Sequence, residues 1–241
     1  MISRLLATAL TATAISLSLS AEEPTRYNLK VNDFAELKVV DDINVIYRNH
    51  PDSVGQVVFF ATPDQASSLI FQPDGAKLDV RLSSEVASNP QAIPTVTVYS
   101  SYLTRAENDG KSHLVVENVA SGPKFKCVLV GNGRLTAKNL SFSTVEASLM
   151  TGNGEIVVSG EADIAKLSST GTGQIQADEL KVREAKCRIV GTGSIGVNAS
   201  ESLTVSGMGS GTVYYIGNPA MKNRTLGVKT QQLADGKANA R

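Results

Sequence analysis

From Asn28 onward the chain alternates apolar and polar residues in short runs. Phe34 to Val40 and Ile43 to Arg48 flank a turn at Asp41 and Asp42, and Gln56 to Ala61 is bounded by Gly55 and Pro63. Ser68 to Gln72 precedes a turn at Pro73 to Gly75, after which Ala76 to Leu82, Thr95 to Tyr99 and Leu114 to Val119 follow. A period of two over four to eight residues, bounded by Gly, Pro, Asn and Asp, predicts strands and turns. Ser83 to Pro94 reads as a loop and Arg105 to Ser112 as a polar turn. Outside the first twenty residues no stretch holds a helical period.

The second half repeats one phrase five times. Its first glycines are Gly131, Gly152, Gly171, Gly191 and Gly209, at steps of 21, 19, 20 and 18 residues. A period near 20 is the signature of a solenoid. With the units aligned on these glycines, Cys127, Ser148, Leu167, Cys187 and Val205 stand four positions earlier. Leu129, Met150, Ser169, Ile189 and Gly207 stand two earlier. Leu135, Ile156, Ile175, Ile195 and Val213 stand four later, and Ala137, Val158, Ala177, Val197 and Tyr215 six later. Each unit offers a short apolar face on either side of Gly-x-Gly, because alternate side chains of a strand point to opposite faces. One unit cannot bury both faces, but stacking successive units can, placing like residues above like. Gly-x-Gly then marks a corner, and its small polar centre (Asn132, Asn153, Thr172, Thr192, Ser210) suits a side chain that hydrogen-bonds nearby backbone. The predicted fold is all-β, a parallel β-helix with about 20 residues per coil. We read a single domain over 28–230: irregular coils over 28–123, Gly-x-Gly coils over 124–218, and a C-terminal cap or tail over 219–241. The open ends need capping against edge-to-edge association, and residues 21–33 and 217–241 are the candidates.

These residues carry a family resemblance. The repeated Gly-Ser/Thr-Gly-x-Ile units, the closing stretch from Gly209 to Pro219 and the start from Phe34 to Ile46 resemble the auto-transporter adhesin head domain, also called the head GIN domain, a family of unknown function abundant in Bacteroidota. The resemblance spans roughly 33–228. It implies a right-handed β-helix in exported proteins and brings no catalytic residues. One departure stands out: such domains often carry a further Gly-Ser-Gly after Gly-Asn-Pro, whereas here Thr225 to Thr230 reads Thr-Leu-Gly-Val-Lys-Thr.

Residues 1–20 change the picture from fold to address. Arg4 and the apolar run from Leu5 to Leu19, ending in small residues at Ser18, Ser20 and Ala21, read as a secretory signal cut after Ser20 or Ala21. The run is short and hydroxyl-rich for a membrane span, so we expect an exported protein (periplasmic, surface-bound or secreted) with no span after cleavage. The 23 basic and 23 acidic residues balance, which gives no support for a nucleic-acid partner.

Candidate chemistry is thin. Gly191 to Gly196 matches the dinucleotide fingerprint G-x-G-x-x-G, but Val197 to Ser200 leads into another strand, not the helix that the motif requires. Cys127 and Cys187 sit three units apart, roughly 14 Å at about 4.8 Å per coil; a disulfide needs Cα atoms within about 7 Å. We expect two reduced, inward-pointing thiols. His50 and His113 fall in polar stretches far apart, and a metal site needs several convergent ligands. Asp41 and Asp42 read as a turn before they read as a carboxylate pair. Asn139, Asn198 and Asn223 begin glycosylation sequons by pattern only. No catalytic, cofactor-binding or metal-binding residue is therefore nominated, and no cofactor is expected.

Three functional readings remain. The first is a non-enzymatic exported module that binds a glycan or another envelope protein. The second is a polysaccharide lyase or hydrolase, which needs clustered acids on adjacent coils. The third is a structural or assembly role through an open end. A groove with convergent Asp, Glu and Arg favours the enzyme. A ladder of exposed aromatics among Tyr47, Tyr99, Tyr102, Tyr214 and Tyr215 favours glycan binding.

Overall fold

The computed structural model describes residues 23–84 and 93–233. The segment read as a signal lies outside them, as does most of the loop expected over 83–94. The chain forms a parallel β-solenoid whose bridges join residues about 20 apart.

Among the described residues, seventeen strands join in one hydrogen-bonded ladder system. The N-terminal ones are β1 (Thr25–Lys30), β2 (Glu36–Val40), β3 (Val45–Arg48), β4 (Gln56–Ala61), β5 (Leu69–Asp74), β6 (Lys77–Leu82), β7 (Val96–Tyr99), β8 (Arg105–Asp109) and β9 (His113–Glu117). The repeat coils follow as β10 (Gly122–Leu129), β11 (Arg134–Leu149), β12 (Glu155–Gly171), β13 (Gln174–Gly191) and β14 (Ser194–Gly209). The last are β15 (Thr212–Ile216), β16 (Ala220–Leu226) and β17 (Lys229–Gln232).

The aliphatic column read from the sequence is the spine of the core. Leu135 pairs with Ile156, Ile156 with Ile175, Ile175 with Ile195 and Ile195 with Val213. All five are buried, each contributing about 1.5–3 kcal/mol of apolar burial. The column continues upward through Leu114, Val45 and Val96.

The other columns correct the alignment on glycine. Ala147, not Ser148, stands between Cys127 and Leu167, and Leu149, not Met150, stands between Leu129 and Ser169. The 21-residue step comes from one extra residue at the corner before Gly152. It pushes Met150 out to 55% exposure, while Leu149 stays buried at 1%.

The glycines divide the work of the corner. Gly131 holds φ +96° with open space where a Cβ would stand. Gly193 needs no unusual angle, but a Cβ there would lie 2.3 Å from the carbonyl oxygen of Gly173. At the centre, Asn132 accepts the backbone N–H of Asn153 at 3.1 Å and Thr172 donates to the carbonyl of Gly152 at 3.3 Å. The departure at Thr225 to Thr230 still makes a corner: Gly227 has φ +85° and stacks on Gly209, and β16 and β17 extend both ladders by one more coil.

The N-terminal coils differ from expectation in two ways. Arg105 to Asp109 is strand β8, not part of a turn. Its inward residues are Ala106 and Asn108, so no apolar alternation announces it. Asn108 is buried and donates to the carbonyls of Ser112 and Arg134 at 2.8 and 3.0 Å. Second, coils do not stack in chain order. The β2–β3 coil sits between the later β6–β7 coil and the β8–β9 coil. The end beyond β6–β7 is closed by antiparallel strands: β5 on β6, β4 on β7 and β1 on β4. That cap draws on Gln56 to Asp74 as well as the expected N-terminal stretch. A five-residue helix α1 (Pro63–Ser67) joins β4 to β5, started by a capping box between Thr62 and Gln65.

Candidate functional site

The feature that the sequence did not reveal is a groove of about 850 Å³ along the second corner of the coils. Here the register shifts between Ala137 and Leu140, between Val157 and Gly160, and between Ala177 and Lys181. Such bulges bend a strand and redirect its side chains. Asn139 takes φ +55° and Gly160 φ +127°. A Cβ on Gly160 would lie 2.1 Å from the carbonyl oxygen of Leu140, so only glycine lets these coils close up. The corner bears no common motif, which is why the repeat did not announce it.

The groove runs from Ser121 and Gly122 to Ile216 and Gly217. Its coils are spaced about 4.8 Å apart, so the five steps from Gly122 to Gly217 give a trough about 24 Å long. Phe142, Ala162 and Val182 form an apolar floor, and Ser141, Glu161, Asp163, Lys181, Arg183 and Ser200 supply polar walls. Arg183 is bound to Glu201 at 2.8 Å and lies 3.9 Å from Asp163. These side chains are more than half exposed, at 59%, 53% and 58% respectively. The hydrogen bond that Arg183 donates to Glu201 raises the guanidinium pKa and lowers that of the Glu201 carboxyl. Asp178, whose carboxyl is pushed up chiefly by burial, does not line the groove.

The groove thus gathers two carboxylates with Lys181 and Arg183, the convergence that the sequence reading set as a mark of an enzyme. The aromatic ladder that would mark glycan stacking does not form. Tyr47 is wholly buried, its hydroxyl 3.1 Å from Ser100 Oγ, and Tyr99, Tyr214 and Tyr215 are half-buried. Of the five, Tyr102 is the exposed one, at 51%.

The remaining candidates have structural surroundings. Gly196 lies inside β14, paired with Gln176 and Tyr214, and a strand, not a helix, follows Gly193. Asp41 adopts φ +69° and accepts the N–H of Leu82 at 3.0 Å, while Asp42 accepts that of Lys111 at 2.8 Å. The two carboxylates therefore tie the turn to neighbouring coils. His50 is exposed beside a short 3-10 turn at Pro51–Ser53. His113, expected in a loop, instead opens β9 with its Nε2 2.8 Å from Thr136 Oγ1. Burial, aided by the Arg134 charge, lowers its pKa. Among the described residues no group of three or more His, Cys, Asp or Glu side chains is placed to hold a metal ion, and no helix is long and apolar enough to cross a membrane.

Solved structures share this fold at low identity. A protein described as a putative adhesin from Bacteroides fragilis NCTC 9343 superposes with a TM-score of 0.76 at 18% identity, covering 88% of this chain and 98% of its own. One described as a putative lipid binding protein from Parabacteroides distasonis ATCC 8503 gives 0.70 at 19%, covering 88% and 97%. A putative adhesin from Parabacteroides merdae ATCC 43184 gives 0.65 at 17%, again covering 88% and 97%. No curated protein matches the chain. The model of one family matches residues 33–219, and the chain belongs to that family, described as putative auto-transporter adhesin, head GIN domain.

Proposed function

We propose that the chain is an exported, non-enzymatic binding module whose groove holds an extended polar ligand, in the first instance a glycan chain gripped by hydrogen bonds and charge and not by aromatic stacking. The observation that carries this reading is the continuity of the trough. Stacked coils repeat hydroxyl and charged groups at a fixed spacing over an apolar floor, a surface suited to a chain-like ligand with hydroxyls along its length. The Arg4 to Ala21 pattern supports export, and the adhesin-like family supports binding. Exposure of Arg183, Asp163 and Glu201 argues for recognition over catalysis, since acid–base chemistry gains from water-excluded, pKa-shifted groups.

One observation favours a second reading, a polysaccharide hydrolase. Glu161 and Asp163 are two residues apart on β12 and both line the groove. That spacing puts their carboxyls roughly 7 Å apart, within the range of about 5–9.5 Å for paired glycosidase carboxylates. A glycan array and pull-down with the full chain, run beside fragmentation assays on common polysaccharides, separates the two. The module reading expects retention without fragmentation, with retention falling in Arg183→Ala. Turnover that disappears in Glu161→Gln or Asp163→Asn overturns it.

A further inference from the structure

Away from the groove, the outer face of the β10–β16 ladder changes character along the axis. Near the N-terminal end its charges alternate in sign from coil to coil. Lys77, Glu36 and Arg105 form one outward column; Asp79, Lys38 and Glu107 form the next. Lys38 pairs with Glu107 at 2.9 Å and Lys77 with Asp79 at 3.2 Å.

Toward the C-terminal end the same columns turn basic. The first continues through Lys126 as Glu146, Lys166, Lys186, Thr204 and Lys222, the second through Val128 as Ser148, Ser168, Arg188, Ser206 and Arg224. Glu146 is already engaged by Lys124 at 3.0 Å and Lys166 at 3.2 Å. Lys186, Arg188, Lys222 and Arg224 are exposed and have no ion-pair partner among the described residues. Glu184, two residues before Lys186, is the acid that shares their strand and face. A shallow depression of about 300 Å³ lies among Lys166, Ser168, Lys186 and Arg188, with Glu146 and Ser148 at its other side. In a chain with equal numbers of acidic and basic residues, this gathering of unpaired cations is a local arrangement.

An apolar ridge borders the same patch. The next column outward carries Val190, Met208 and Leu226 in register. Met208 is 58% and Leu226 76% exposed, and Met221 on the terminal strand is 39% exposed. A soluble polyanion would account for the cations and leave these side chains in water. An anionic bilayer accounts for both, with the cations at the headgroups and Leu226 and Met208 at the acyl boundary. A second copy paired edge to edge through β16 is disfavoured. Antiparallel pairing centred on Asn223 would set Lys222 opposite Arg224, and like charges directly opposite are destabilising.

We propose that the C-terminal end of the solenoid seats on an anionic lipid surface through Lys186, Arg188, Lys222 and Arg224, with Met208 and Leu226 as the apolar contact. This surface is separate from the groove and does not depend on what the groove binds.

Co-sedimentation of the full chain with phosphatidylcholine vesicles, with and without phosphatidylglycerol, tests it. The chain sediments with the phosphatidylglycerol vesicles, and raising NaCl to about 0.5 M weakens this strongly. Replacing the four cations together (Lys186→Ser, Arg188→Ser, Lys222→Ser, Arg224→Ser) lowers affinity at least about tenfold. Leu226→Ser lowers it several-fold. All are exposed positions, and circular dichroism checks that the variants fold. Binding that the fourfold variant does not diminish overturns the proposal, because it would reside elsewhere on the chain. So does binding of polyphosphate in solution with Leu226→Ser without effect on either ligand, which would assign the patch to a soluble polyanion.

Discussion

Cys127 and Cys187 point into the same interior column, three coils apart, with Ala147 and Leu167 between them. Both thiols are buried and free. Burial pushes the Cys187 thiol up to about 12 and that of Cys127 higher still, so neither forms the reactive thiolate near neutral pH. Native protein therefore resists alkylation at pH 8. Unfolding without reductant exposes two labelled cysteines per chain, counted by mass spectrometry. An intramolecular disulfide would contradict the register of one coil per unit.

The two glycines of a corner fail differently. Gly131→Ala meets open space and bears only the cost of its positive φ, about 1–2 kcal/mol. Gly193→Ala drives a methyl against the carbonyl of Gly173 and within 3.1 Å of Ser169 Oγ. Backbone cannot swing aside as a side chain can, so this variant loses at least about 3 kcal/mol. Urea denaturation of both variants reads the difference. A larger loss in Gly131→Ala would show that the backbone angle, not the spacing between coils, limits the corner.

Asn108 holds the short N-terminal coils to the repeat. With its two carbonyl partners on either side of the β9–β11 pairing, Asn108→Leu leaves both without that donor and costs about 1–3 kcal/mol. Equilibrium unfolding measures it, and an unchanged midpoint would remove the residue from this role.

His113 gives stability a pH dependence. Its folded pKa lies below the ordinary 6.5, so the unfolded chain binds the proton more readily. Stability is thus full above about pH 6.5 and falls as pH drops below it, toward the folded pKa. The melting temperature of the wild type falls more between pH 7.5 and 5.5 than that of His113→Gln. Parallel curves would mean that the ring is not desolvated.

The legible parts of this fold were those written in aliphatic side chains. Leu135, Ile156, Ile175, Ile195 and Val213 announce their column because each is apolar at a constant offset. Strand β8 carries no apolar signal because Ala106 and Asn108 fill its inward positions, and a buried amide looks like a turn residue in sequence. Met150 departs from the glycine alignment because one residue is inserted before Gly152, and an offset of one exchanges the two faces of a strand. Coil order was invisible, since the pattern of a strand names its faces and not its neighbours. The groove was hidden for a related reason. Its corner is made by Asn139, Gly160 and the Asp178 to Leu180 bulge, different residues doing one geometric job, so no repeated motif marks it.

Hydrogen exchange on the full chain, with and without a polysaccharide that it retains, tests the central claim most directly. If stacked coils present one continuous site, ligand slows exchange together at 141–143, 161–163, 181–183 and 198–200, while the opposite face at 134–136 and 174–176 is unchanged. Protection confined to a single coil, or centred away from the groove, would contradict the account.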